Sequence, residues 1–229
     1  MSMKKRSKVL KSIILLSGGL DSLVALGAYK DELGIDLALT FDYGQKSASY
    51  EISSAKKICE YYQIESKIIQ LDWLKDISKS SLVSESEIPD SNFGTVESAK
   101  SVWVPNRNSL FLNIAAAFAD SFSYDYIIFG ANKDEGQTFP DNTEKFRQKI
   151  SEVFEYSTFK KPMVIAPLIN YTKDDIVKIA IEKQIPLEFV RSCYRSEDKH
   201  CGKCESCNYL KQALINNKAY NYINILFGE

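Results

Sequence analysis

The chain has 229 residues, a length suited to one domain with a small appendage, and 45% of them are hydrophobic, enough for a sizeable buried core. Its 29 Lys and Arg nearly balance its 30 Asp and Glu, and the formal net charge of -1 argues against a protein that lives mainly on a nucleic-acid backbone. No apolar run approaches the roughly 20 residues of a membrane helix, and the basic start Met1–Lys11 leads into an apolar stretch too short for a secretory signal, so a soluble cytoplasmic protein is expected.

Apolar runs then alternate with amphipathic stretches, as in a parallel sheet flanked by helices. Ser12–Leu16 is predicted as a buried strand and Asp21–Leu33 as a helix. Ile35–Phe41 is the second strand, followed by a helix over Ala48–Tyr62 and a third strand over Ile64–Leu71. Cys59 falls on the apolar stripe of the second helix with Ala55, Ile58 and Tyr62, where a free cysteine packs as a small hydrophobe. Lys79–Ser101 is rich in Ser and Glu, contains Pro89 and Gly94, and has no period. So long a loop in a compact domain is usually functional, and it is read as a lid. Asn108–Ser121 is a strongly apolar helix, Tyr126–Phe129 a strand, and Thr143–Tyr156 a further helix. Thr172 announces the next as N-cap, with Asp175 at the capping-box position, and that helix runs to Lys183 before Pro186.

Between the first strand and the first helix lies Ser17-Gly18-Gly19-Leu20-Asp21-Ser22. Its glycines let the backbone turn tightly and bring N–H groups against an anion. The helix start adds unpaired N–H groups and partial positive charge. Ser17 and Ser22 can donate from their hydroxyls. Asp21 would repel a bare phosphate, which points to Mg²⁺ between the carboxylate and phosphate oxygens. The lysine-bearing P-loop pattern is absent. The hexapeptide resembles the S-G-G-x-D-S loop of the N-type ATP pyrophosphatase superfamily, in which the loop grips the pyrophosphate of ATP and AMP passes to a substrate oxygen.

Four of the five cysteines are Cys193, Cys201, Cys204 and Cys207. Four thiolates so clustered suit a closed tetrahedral zinc site with a structural role, an iron–sulfur cluster being the competing use of the same ligands. His200, the only histidine, is read as a non-ligand, and no other histidine exists to serve a serine–histidine or cysteine–histidine mechanism.

Three further segments sharpen the resemblance: Phe41-Asp42-Tyr43-Gly44-Gln45, Val104-Pro105-Asn106-Arg107-Asn108, and Ser192-Cys193-Tyr194 with His200-Cys201-Gly202-Lys203-Cys204-Glu205-Ser206-Cys207. With the phosphate loop they resemble the 7-cyano-7-deazaguanine synthase (QueC) family from about Ile13 to about Tyr222. The family's glycine before the arginine is Asn106 here, which tolerates positive φ, and its histidine after the D-Y-G-Q stretch is missing, with Ser47 nearby. Lys133–Asn142 looks more like archaeal members, and archaeosine competes with queuosine as the end product.

The resemblance implies a Rossmann-like α/β fold of the adenine nucleotide alpha hydrolase type. Residues 1–185 would form the ATP pyrophosphatase domain and residues 186–229 a small helical zinc-binding subdomain. Ser17, Gly18, Gly19, Leu20, Asp21, Ser22, Asp42 and Arg107 would hold Mg²⁺-ATP. Asp21, Arg107 and Asp134 would be catalytic, Glu135 being the alternative to Asp134 as proton acceptor. Tyr43 and Phe139 are candidates to stack on a base. The implied substrates are 7-carboxy-7-deazaguanine, ATP and ammonia. The acid is adenylated, ammonia displaces AMP to give an amide, and a second adenylation followed by loss of AMP leaves the nitrile. No direct nucleic-acid partner and no membrane are expected, and a homodimer is implied by the family. The rival readings are a tRNA-modifying thiolase with the same loop and a non-catalytic zinc-ribbon nucleotide-binding module.

Overall fold

The structure, a computed structural model, describes residues 10–90 and 96–228. The elements run β1 (Ser12–Leu15), α1 (Leu20–Leu33), β2 (Ile35–Asp42), α2 (Ala48–Tyr62), β3 (Glu65–Gln70), α3 (Trp73–Ile77), α4 (Val96–Val102) and α5 (Arg107–Phe122). They continue with β4 (Tyr126–Ile128), α6 (Lys133–Gly136), α7 (Glu144–Ser157), β5 (Met163–Ile165), α8 (Lys173–Glu182), α9 (Glu205–Asn216) and α10 (Tyr220–Phe227).

The five strands form one parallel sheet in the order β3-β2-β1-β4-β5. Because side chains alternate across a strand, neighbouring residues serve opposite layers. Ile14 and Ala38 pack under α1, α2 and α8, while Ile13, Leu37 and Leu39 pack under α5 and α7. The Rossmann-like expectation is met. Strand β5, which has only three residues, was not anticipated: so short a run carries no legible period.

Several local expectations are met as well. Thr172 accepts from Asp175 N while the Asp175 side chain accepts from Thr172 N, completing the capping box of α8. Cys59 is buried in the core, where desolvation pushes its thiol up to about 11. Asn106 adopts φ 58° as the N-cap of α5. That left-handed turn swings Arg107 into the first turn of the helix.

The expected lid is only partly within the described residues, since 91–95 lie outside them. The described ends are packed down rather than free. Ser80, Ser81 and Leu82 are buried. Ser81 N donates to Ser101 O at 2.8 Å, Lys46 N to Leu82 O at 2.9 Å, and Arg195 Nη2 to Ile88 O at 3.0 Å.

The C-terminal helices share the larger core. Leu210, Leu214, Ile223 and Phe227 join the same cluster as Leu23, Leu26, Ile176 and Val177 of α1 and α8.

Asn106 holds a left-handed backbone at the start of α5. Asn106→Ala should lower stability by about 1 kcal/mol, because alanine resists the left-handed region. Asn106→Gly should stay within about 0.5 kcal/mol of the parent. Urea midpoints measure both. An alanine variant as stable as the parent would mean that the turn escapes the left-handed region.

Candidate active site

The Ser17–Ser22 loop leaves the C-terminal end of β1, between its neighbours β2 and β4, where the strand order reverses. Open parallel sheets collect ligands at that point. Gly18 has φ +81°, and a Cβ there would lie 2.6 Å from Ser54 Oγ and 2.9 Å from Glu51 O, so only glycine fits. Its carbonyl accepts from Arg191 N at 2.7 Å and from Ser54 Oγ at 3.2 Å. Gly19 caps α1 with no side-chain hydrogen bond, leaving the positive helix end to the loop. Ser17 and Ser22 bring their hydroxyls to 3.3 Å of each other. Gly130, at the end of β4, presses on this loop so closely that a Cβ would meet Ser22 N at 2.8 Å.

A cavity of about 230 Å³ opens above the loop. Ser17, Gly19, Leu20, Asp21, Ser22 and Arg107, all expected from the sequence, line it. Gly18 lies behind it as the hinge of the loop. Asp42 does not reach it: its Oδ1 accepts from Gly44 N at 3.1 Å and closes the turn after β2. Asp134 also sits aside, in a smaller recess, with Oδ2 accepting from Lys173 N at 2.8 Å. Glu135, the alternative acid, does line the main cavity.

Lining the cavity is a half-buried ionic trio that the sequence reading missed. Lys173 Nζ donates to Asp21 Oδ2 at 2.5 Å and to Glu135 Oε1 at 2.8 Å. Burial pushes the Asp21 carboxyl up to about 6, against the pull of Lys173. Burial also works on Glu135, but Lys173 and the Asn132 side chain outweigh it and hold that carboxyl below its ordinary value. Burial opposes the Lys173 charge, yet the two carboxylates raise its pKa above the usual lysine range. Asp21 Oδ1 is buried and has no hydrogen-bond partner. An orphaned carboxylate oxygen beside a phosphate loop is the coordination position a divalent cation would use.

Arg107 Nη1 donates to Tyr43 Oη at 3.0 Å, so Tyr43, which also lines the cavity, orients the guanidinium. Burial disfavours the Arg107 charge, but Tyr43 and Asp141 outweigh it and raise its pKa. Glu51, also missed, lines the cavity and accepts from Ser47 Oγ at 2.5 Å and Gln45 Nε2 at 2.9 Å. Its spacing carried a signal: Glu51 falls on the stripe of Ser54, Ala55 and Ile58, the buried face of α2. Lys173 carried none, since the first residue of an amphipathic helix is normally a solvated position.

The cysteine segment forms the far wall, with Ser192, Tyr194 and Ser206 lining the cavity. Its four sulfurs lie within 4.8 Å of one another, and Cys201 Sγ is 3.8 Å from Cys207 Sγ, close to the edge of a zinc–thiolate tetrahedron. Backbone N–H groups of Arg195 and Cys201 donate to Cys193 Sγ, and those of Lys203 and Cys204 to Cys201 Sγ, at 3.3–3.4 Å. These donors favour thiolates, and the cluster is suited to bind a metal ion. His200 is not among the ligands. Its Nε2 accepts from Ser192 N at 3.0 Å and its Nδ1 faces Leu226 O at 3.2 Å, while burial lowers it to about 4 and keeps it neutral.

Residues 11–218 match the family described as queuosine biosynthesis protein QueC. A 7-cyano-7-deazaguanine synthase of Methanosarcina mazei is 46% identical over 209 residues, which are 86% of this chain and 90% of that protein. One of Carboxydothermus hydrogenoformans is 44% identical over 209 residues, covering 89% and 97%. Among solved structures, NMN synthetase from Francisella tularensis aligns with TM-score 0.50 at 16% identity over 96% of this chain and 85% of that one, a likeness of fold alone.

The ionic trio makes a direct stability test. Lys173→Met leaves two carboxylates facing each other and should cost about 2 kcal/mol at pH 8, less than a fully buried pair because Glu135 is partly exposed. Without the ammonium, both folded-state pKa values rise above their unfolded values, so the stability deficit should shrink as pH falls towards 5 and the carboxylates protonate. Urea unfolding at both pH values measures this. A deficit that grows on acidification would contradict the arrangement.

Proposed function

The chain belongs to the QueC family, and from that premise we propose that it is a 7-cyano-7-deazaguanine synthase, an ATP-dependent carbon–nitrogen ligase serving queuosine or archaeosine biosynthesis. The observation that carries the proposal is the convergence of the Ser17–Ser22 loop, Arg107 and the Asp21–Lys173–Glu135 trio on one cavity.

Each residue then has a task. Backbone N–H groups and the hydroxyls of Ser17 and Ser22 hold the pyrophosphate of ATP, with Gly18, Gly19 and Leu20 shaping the cradle. Asp21 Oδ1 is the ligand for Mg²⁺, which when bound neutralises phosphate charge and fits the orphaned oxygen there. Lys173 keeps Asp21 ionised and oriented. Arg107 holds the substrate carboxylate against the α-phosphate, the positioning that makes an oxygen a leaving group once it carries AMP. Glu135 accepts the proton of the attacking ammonia, because it reaches the cavity. Asp134 positions Lys173 through the backbone of α8, and Asp42 shapes the turn beside the nucleotide.

The four cysteines hold a structural zinc, supported by the sulfur spacing and the N–H···S donors. Residues 1–185 are the ATP pyrophosphatase domain and 186–229 the zinc-bearing subdomain. The partners are ATP, 7-carboxy-7-deazaguanine and ammonia, the assembly is a homodimer, and no nucleic acid is bound directly. No helix among the described residues is long and apolar enough to cross a membrane, and a cytoplasmic location belongs to the same proposal.

Purified protein incubated with 7-carboxy-7-deazaguanine, Mg²⁺-ATP and ammonium should yield the nitrile, with two AMP and two pyrophosphate per turnover, by mass spectrometry. AMP formed only with some other acceptor would keep the loop assignment and remove the synthase assignment. Asp21→Asn should lower kcat/KM by about 10²–10³. Because the ionised Asp21 carboxylate is the cation ligand and its pKa lies at about 6, Mg²⁺-dependent ATP binding should weaken as pH drops below that value.

A further inference from the structure

A second recess, of about 70 Å³, adjoins the main cavity and shares Arg107, Glu135 and Tyr194 with it. Trp103 and Phe139 line it with rings that lie nearly parallel, 8° apart in plane and 5.6 Å between centroids. Asp141 lines it too, only 9% exposed. Asn142 Nδ2 donates to Asp141 Oδ1 at 3.1 Å, and among the described residues no lysine or arginine forms an ion pair with this carboxylate. Burial raises the Asp141 carboxyl above its ordinary range even though the Arg107 charge pulls it down. A carboxylate so enclosed, with one amide donor and no ion pair, is stabilised by a ligand that supplies further donors.

The proposed reaction brings two bicyclic bases, adenine and a deazaguanine, into adjoining chambers. They differ most at the pyrimidine edge. A guanine-type edge presents N1–H and the 2-amino group side by side, matching the two oxygens of a carboxylate. Adenine presents a lone pair at N1, which a carboxylate repels, and a single amino group beside it.

We propose that Asp141 reads the N1–H and 2-amino edge of the deazaguanine, with the Trp103–Phe139 wall against its ring, so that this recess admits the deazaguanine and rejects adenine. The inference rests on the synthase reading above and names the base subsite of that same centre. It also fits the course of the reaction. The group that is activated sits on the five-membered ring, across the bicycle from the recognised edge, and so can face Arg107, which belongs to both chambers. The edge held by Asp141 is unchanged from acid to amide to nitrile, so one grip serves both adenylations.

The test compares 7-carboxy-7-deazaguanine with its analogue lacking the 2-amino group, in the full-length protein and in Asp141→Asn. The parent should use the analogue with kcat/KM about 100-fold lower, because the site's buried acceptor is left unpaired. Asp141→Asn should raise KM for 7-carboxy-7-deazaguanine about 100-fold, bring the two bases to within about threefold of each other, and leave KM for ATP within about threefold of the parent. A parent enzyme that uses both bases equally overturns the inference, and that arm stands even if the variant fails to fold. A folded Asp141→Asn that keeps the preference overturns it as well. No nitrile from the parent with either base sinks the synthase reading and this inference with it, whereas nitrile without discrimination sinks this inference alone.

Discussion

One ammonium shared by two half-buried carboxylates sets the terms for the rest of the site. Lys173 comes from α8, Asp21 from α1 and Glu135 from α6, and the ion pairs offset the desolvation of all three. Their meeting fixes the first turn of α1 against α8 at the switch point of the sheet. The capping box of Thr172 and Asp175, and Asp134 on Lys173 N, secure the lysine's backbone before its side chain enters the cavity. The trio carries one more negative than positive charge, and Asp21 Oδ1 is left without a hydrogen-bond partner. Arg107, Arg191 and Glu51, which also line the cavity, offset that excess, so its charged side chains balance.

The C-terminal segment is mechanically part of this centre. Arg191 N reaches the Gly18 carbonyl, and Leu20 N donates to Ser192 Oγ at 3.3 Å. His200 carries the connection on, joining Ser192 to the end of α10 through its two ring nitrogens. The cysteine cluster anchors both ends of the stretch that makes these contacts. A metal held by the four thiolates would brace the loop and the wall of the cavity through Ser192 and Tyr194.

Much of this was legible in the residues, and the reasons are physical. Apolar runs and helical apolar patterns marked β1 to β4 and the long helices, and the Gly18–Gly19 pair between strand and helix marked the cradle. Asn106 read correctly because few side chains accept its backbone conformation. What escaped was long-range pairing. Lys173 is 152 residues from Asp21, and nothing local in the sequence announces that they meet. Asp42 misled for the opposite reason: a carboxylate after a strand suits a ligand and a turn equally, and here the turn takes it. Aromatic residues behaved likewise, since Tyr43 is committed to Arg107 while Phe139 pairs with Trp103 at the second recess.

Under the proposed function this cavity transfers AMP, not phosphate, to the oxygens of its substrate. The direct measurement uses 7-carboxy-7-deazaguanine carrying ¹⁸O in both carboxylate oxygens, with the label followed by mass spectrometry. The account requires one ¹⁸O in each of the two AMP molecules formed per nitrile and none in inorganic phosphate. Label recovered in phosphate, with ADP as co-product, would contradict it.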